Sequence, residues 1–109
     1  MKLYIDTSNR DKIIVGLDGK MYESAARQDA SQKLLPFIDE VLKNLPAQAG
    51  NKTLKDITEI KVNTGPGSFT GLRVGVAVAN ALGWALGVPV NGKNLDRGES
   101  VDIRYDDSN

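Results

Sequence analysis

The sequence predicts an α/β fold: a mixed five-stranded sheet with two main helices against it, in the order βββαβαβ. Three observations predict it. The chain opens with short β-branched and apolar runs punctuated by polar turns, where Leu3, Tyr4 and Ile5 lead to Asp6, Thr7 and Ser8, and Ile13, Ile14 and Val15 follow Asn9, Arg10 and Asp11. Two later stretches change to helical spacing. Between and after those stretches stand further β-type runs, which parallel crossovers would bring into the same sheet.

Each element has its own local reason. Asp18-Gly19 is a tight-turn pair, so residues 20–26 run back as a third strand and complete an antiparallel meander. Ser31 is the expected N-cap of the first helix, in which Leu34, Leu35, Ile38, Val41, Leu42 and Leu45 recur at helical spacing as far as Pro46. Pro36 is expected in its first turn, where a missing donor costs little. Gly50-Asn51 breaks the chain, and Ile57, Ile60 and Val62 mark a fourth strand. A long helix over 69–86 and the short strand Val88-Pro89-Val90 close the pattern. From Lys93 the composition shifts: Asp96, Glu99, Asp102, Asp106 and Asp107 stand against Lys93, Arg97 and Arg104, five acids to three bases. Residues 1–92 therefore read as one domain and 93–109 as a charged tail. In that tail Val101, Ile103 and Tyr105 alternate with polar residues, as an added edge strand, a segment ordered by a partner or a solvated end would allow.

Composition narrows the chemistry. Lysine plus arginine and aspartate plus glutamate both number 14, so no net positive field gathers nucleic acid. Cysteine and histidine are absent, which removes disulfides, thiolate zinc sites, cysteine nucleophiles and any Ser-His-Asp triad. A serine-lysine pair would need a lysine that only the fold can place. The N-terminus lacks the apolar run of a signal peptide, and Arg73 and Asn80 interrupt the one long apolar helix, so a cytoplasmic protein with no membrane span is expected.

The stretch Asn63 to Gly75, NTGPGSFTGLRVG, is the most distinctive. It is no P-loop, because no lysine follows its last glycine, and the third glycine of a dinucleotide fingerprint falls at Thr70. Two readings remain open: an anion held at the free donors of the helix start, or a sharp strand-to-helix turn capped by Ser68.

LYIDTS at 3–8, LLPFIDEVL at 34–42 and GPGSFTGLRVGVAVANALGWALGVPV at 65–90 resemble the bacterial tRNA threonylcarbamoyladenosine biosynthesis proteins TsaB, also called YeaZ. The resemblance covers most of the chain, from Leu3 to about Val90. It implies an actin, sugar kinase and Hsp70-like (ribonuclease H-like) lobe. It further implies a noncatalytic scaffold, without cofactor or metal, working beside a TsaD-like catalytic subunit and a TsaE-like ATPase. That complex modifies the adenosine beside the anticodon, and tRNA is met only through it. The family's second lobe would follow Val90, where this chain has its tail. Nucleotide in this superfamily lies between lobes, so Asp6, Thr7, Ser8, Gly65, Gly67 and Ser68 are expected to be the vestige of a nucleotide site.

The resemblance also implies pairing through the two helices, as a homodimer or with the TsaD-like subunit. The candidate interface on the first helix is Leu34, Ile38 and Leu45. On the second it is Gly71, Arg73, Gly75, Ala79, Asn80, Gly83 and Trp84. The long helix is apolar nearly all round, and one sheet cannot cover every side of it. Two rivals stand against the scaffold. One is a small nucleotide-binding enzyme or phosphotransferase built on the Asp6 turn and the glycine loop, with Glu23 or Asp29 as a second carboxylate for magnesium or acid-base work. The other is an independent tRNA-binding module, disfavoured by balanced charge.

Overall fold

A computed structural model describes residues 1–26, 29–44 and 52–103. Strands β1 (Lys2–Asp6), β2 (Lys12–Leu17) and β3 (Lys20–Ala25) form the meander, helix α1 (Ala30–Lys43) follows, then β4 (Glu59–Val62) and helix α2 (Phe69–Leu86). The sheet order is β3-β2-β1-β4, with β1 antiparallel to β2 and parallel to β4. The Asp18-Gly19 turn forms as expected: both residues have positive φ, and Leu17 pairs with Lys20. The Asp18 carboxylate also accepts the Lys2 N–H at 2.8 Å, pinning the turn to the start of β1.

Strand alternation puts Leu3, Ile5, Ile13, Val15 and Leu17 on one buried face of the sheet. Against it pack Leu34, Ile38, Val41 and Leu42 from α1 and Leu72, Val76 and Ala79 from α2. Helix α1 lies against β2 and α2, whereas α2 spans β1 and β4.

Among the described residues four strands form, not five. Val90 makes a single parallel bridge to Ile60, through Ile60 N–H to Pro89 C=O and Asn91 N–H to Ile60 C=O, each 2.9 Å. The strand ends there because Asn91 and Gly92 take positive φ and turn the chain back, with Lys93 N–H bonding Val90 C=O. The Asn91 side chain then continues the pairing in place of backbone: its amide donates to Val62 C=O (3.0 Å) and accepts Val62 N–H (2.9 Å).

Helix α1 also departs from expectation. Asp29, not Ser31, holds the N-cap position, and its carboxylate makes no cap bond. Pro36 lies inside the helix rather than in its first turn. It is tolerated because Pro36 and Gln32, whose carbonyl loses its helical donor, are both exposed to water. The tail does not simply leave the domain: Val101 and Ile103 are 6% and 8% exposed and belong to the core cluster. Tyr105, the third member of that alternation, lies outside the described residues, as does Leu45.

By length and mean hydropathy, 1.3, α2 is apolar enough to cross a membrane despite Arg73 and Asn80. Its sheet-facing side is buried in the domain core, an arrangement that a core helix of the same composition adopts.

Candidate functional site

The C-terminal end of β1, the loop after β4 and the first turns of α2 meet at one point. The β4 ladder extends one step, as Asn63 N–H bonds Ile5 C=O at 2.9 Å. That places the Asn63 amide beside Asp6, to which it donates at 3.1 Å, while its oxygen accepts Gly65 N–H at 3.0 Å. Ser8 N–H donates to the same Asp6 oxygen at 2.9 Å, and Tyr4 O–H reaches the other at 3.3 Å. Burial alone would raise the Asp6 pKa. The bonds from Ser8, Asn63 and Tyr4 outweigh it and hold the carboxyl below its ordinary value. The Tyr4 phenol is pushed up, first by burial and then by the neighbouring Asp6 charge.

The two loops close on each other. Ser68 N–H bonds Ser8 C=O at 2.7 Å, and a side chain at Gly67 would put its Cβ 2.4 Å from the Ser8 Cβ. Gly67 also has φ +158, a further reason for glycine. Ser68 caps α2 as expected, its Oγ accepting Gly71 N–H at 3.4 Å. Thr7 is 1% exposed and donates its hydroxyl to the Gly71 carbonyl. Close approach of β1 to α2 is what the glycines permit: a Cβ at Gly71 would lie 2.2 Å from the Thr7 carbonyl oxygen, and one at Gly75 2.4 Å from Thr7 Oγ1.

The six residues expected at a vestigial nucleotide site are therefore brought together, but their polar groups are largely engaged with one another and with Tyr4, Asn63 and Gly71. A cleft of about 170 Å³ opens beside them, between the N-terminal ends of α1 and α2, lined by Asn9, Arg10, Ser31, Ser68 and Thr70 among others. Asp6 does not line it. Neither proposed second carboxylate joins Asp6: Glu23 pairs with Lys12 at 3.6 Å and Asp29 with Lys33 at 3.6 Å. Among the described residues no group of three or more acidic, histidine or cysteine side chains is placed to hold a metal. Sequence reasoning missed Asn63, Arg10 and Ser31 as members of this region. The first had a readable signal, an amide at the strand end directly before the glycine loop; the others come near it only through the fold.

The expected interface divides in two. Leu34 and Ile38 are core residues, and Gly71, Gly75, Ala79 and Gly83 face inward, with a Cβ at Gly83 meeting Val90 at 2.3 Å. The lane of small residues seats the helix on its own domain, so these six are unavailable to a partner of the folded chain. Asn80 is bonded to the backbone of Val101. Arg73 and Trp84 are exposed, Trp84 at 71%, on a side that also carries Phe69 at 48% with the Arg73 guanidinium 5.5 Å from its ring centre; Ala77, Ala81 and Ala85 are exposed as well.

A family described as TsaD, tRNA N6-adenosine threonylcarbamoyltransferase, has a model that matches residues 8–94. The chain belongs to that family. Among its relatives are the tRNA threonylcarbamoyladenosine biosynthesis proteins TsaB of Buchnera aphidicola, 35% identical over 66 residues, covering 61% of this chain and 29% of that protein, and of Bacillus subtilis, 29% identical over 97 residues, covering 82% and 38%. The tRNA N6-adenosine threonylcarbamoyltransferase of Vesicomyosocius okutanii is 39% identical over 71 residues, covering 65% of this chain and 19% of that protein. The solved structure of YeaZ from Pseudomonas aeruginosa superposes with a TM-score of 0.65 at 29% identity, covering 82% of this chain and 41% of that one. This TsaD-family chain is TsaB/YeaZ-like, and it spans less than half the length of these relatives.

Proposed function

We propose that the chain is a noncatalytic partner subunit in tRNA threonylcarbamoyladenosine biosynthesis, a ribonuclease H-like lobe that pairs with itself and docks a TsaD-like catalytic subunit through the outer side of α2. The observation that carries this is the contrast around α2. The polar groups at its N-terminal junction are engaged within the fold, whereas Trp84, Arg73 and Phe69 stand on an exposed apolar side. Exposed aromatic and arginine side chains over small residues are the usual anchors of a protein interface. The likeness to TsaB and YeaZ supports the pathway, and the absence of histidine and cysteine from the sequence supports a subunit that leaves chemistry to its partner. In this reading the site is cytoplasmic, the TsaE-like ATPase joins only in the larger complex, and tRNA is met only there.

Co-purification tests it. The chain should capture a TsaD-like protein, and Trp84→Ala or Arg73→Glu should weaken capture with the fold intact. Failure of the wild-type chain to bind at micromolar concentration would remove the assignment. Sub-millimolar ATP binding lost in Asp6→Ala would instead favour the nucleotide-binding enzyme.

A further inference from the structure

The family match ends at residue 94, and just there the chain folds back over α2. A short 3-10 turn, Leu95–Arg97, brings Leu95 to within 3.8 Å of where a Gly83 Cβ would stand. Asn94 N–H donates to the Glu99 carboxylate at 2.7 Å, which closes this loop, and Gly98 takes the left-handed conformation that ends the turn. Three residues later the Asn80 side chain grips Val101 by both backbone groups, donating to its carbonyl at 2.8 Å and accepting its N–H at 3.2 Å. Val101 and Ile103 are buried; Ser100 and Asp102 are exposed.

The fastening is unlike that of the rest of the domain. Each sheet strand is held by a ladder of backbone bonds, whereas residues 95–103 join no strand of the sheet among the described residues. They are held by one amide on α2 and by a few apolar side chains. Segments with few backbone bonds and few buried contacts open at lower free energy than the core beneath them. Asn80 recognises an extended backbone rather than any side chain, so its grip is independent of the neighbouring sequence.

We infer that residues 95–103 form a releasable strap over the C-terminal half of α2, latched by Asn80, whose opening bares the Asn80 side chain and the helix surface around it next to Trp84. Given the docking role proposed above, the strap regulates that role by setting how much of α2 a partner can reach.

Amide hydrogen exchange on the full chain tests the latch, in wild type, Asn80→Ala and Asn80→Asp. In the wild type the Val101 amide should exchange at least about 10-fold faster than the slowest amides of β1 and β2. Asn80→Ala should speed Val101 by about 10-fold again and leave the β1 and β2 amides within about twofold. Asn80→Asp keeps the acceptor for Val101 N–H but loses the donor to its carbonyl, and should fall between. Val101 and β-strand amides exchanging together in the wild type, or an Asn80→Ala variant that speeds both alike, would overturn the strap as a separate unit. Capture of a TsaD-like protein is the second readout. Stronger capture by Asn80→Ala supports control of docking and equal capture overturns it, whereas no capture by either form sinks the proposed function and leaves exchange to judge the latch.

Discussion

A closed polar junction and an open apolar surface lie on opposite sides of one helix. At the inner side of α2, where it meets β1, the contacts are polar, short and closed: Thr7 on Gly71, Ser8 on Ser68, Asn63 and Tyr4 on Asp6. On its outer side the surface is mostly apolar and open, with Trp84, Phe69 and the Arg73 guanidinium over the Phe69 ring as the large exposed groups. Glycine accounts for the first and alanine for the second. Where backbone must touch backbone no Cβ fits, and where the surface must be smooth a single methyl group suffices. Substitutions on the inner side should therefore be read in folding, and those on the outer side in association.

The largest effect should come from Gly71→Ala. Its Cβ meets a backbone carbonyl, which cannot rotate away, so overpacking should cost about 1–3 kcal/mol, at the upper end of that range. Alanine's better helix propensity, about 1 kcal/mol, offsets only part of it. Urea denaturation reads the difference, and unchanged stability would mean that β1 and α2 lie farther apart than described. Thr7→Val comes next. The variant keeps the shape and loses the bond to Gly71, for a net loss of about 1 kcal/mol in the same measurement.

A smaller effect should appear with pH. The folded-state pKa of Asp6 lies below its unfolded value, so the stability it contributes is fully present above the unfolded pKa and is lost as pH falls through the folded one. Asn63→Ala removes one of the bonds that depress it and should flatten the acid limb of the stability profile. An identical profile in the variant would show that Asn63 contributes nothing to the shift. The smallest effect on folding should be that of Trp84→Ala, within about 0.5 kcal/mol, because so little of the ring is buried. A much larger loss would put Trp84 in the core and end the contrast between the two sides.

How far the sequence was legible depends on the range of the forces involved. The meander, the Asp18-Gly19 turn and the Ser68 cap follow from neighbours in the chain, and all appear. Periodicity also found the lane Gly71, Gly75, Ala79, Gly83, but a lane of small residues fits a partner helix as well as a sheet. Only the position of Thr7 and Val90 decides that it faces inward. The fifth strand failed for a local reason of another kind: Val88-Pro89-Val90 has strand composition, yet Asn91 supplies a side-chain amide where the next backbone group would have stood. The bond from Asn63 to Asp6 was legible only in part. Asp6 and Ser8 are neighbours in the chain and the Asn63 amide stands at a strand end, but spacing carries no information that these distant stretches meet.

That substitution of side chain for backbone at Asn91 decides how the sheet can grow. A strand edge with free N–H and C=O groups is a template on which other chains can add and aggregate. At β4 the outward groups of Ile60 are taken by Pro89 and Asn91, and those of Val62 by the Asn91 amide, so the template is sealed within two residues. Only β3 is left with an open side among the described strands. Any growth of this sheet by strand addition between chains would have to start there, where Lys20 and Glu23 place charges along the edge.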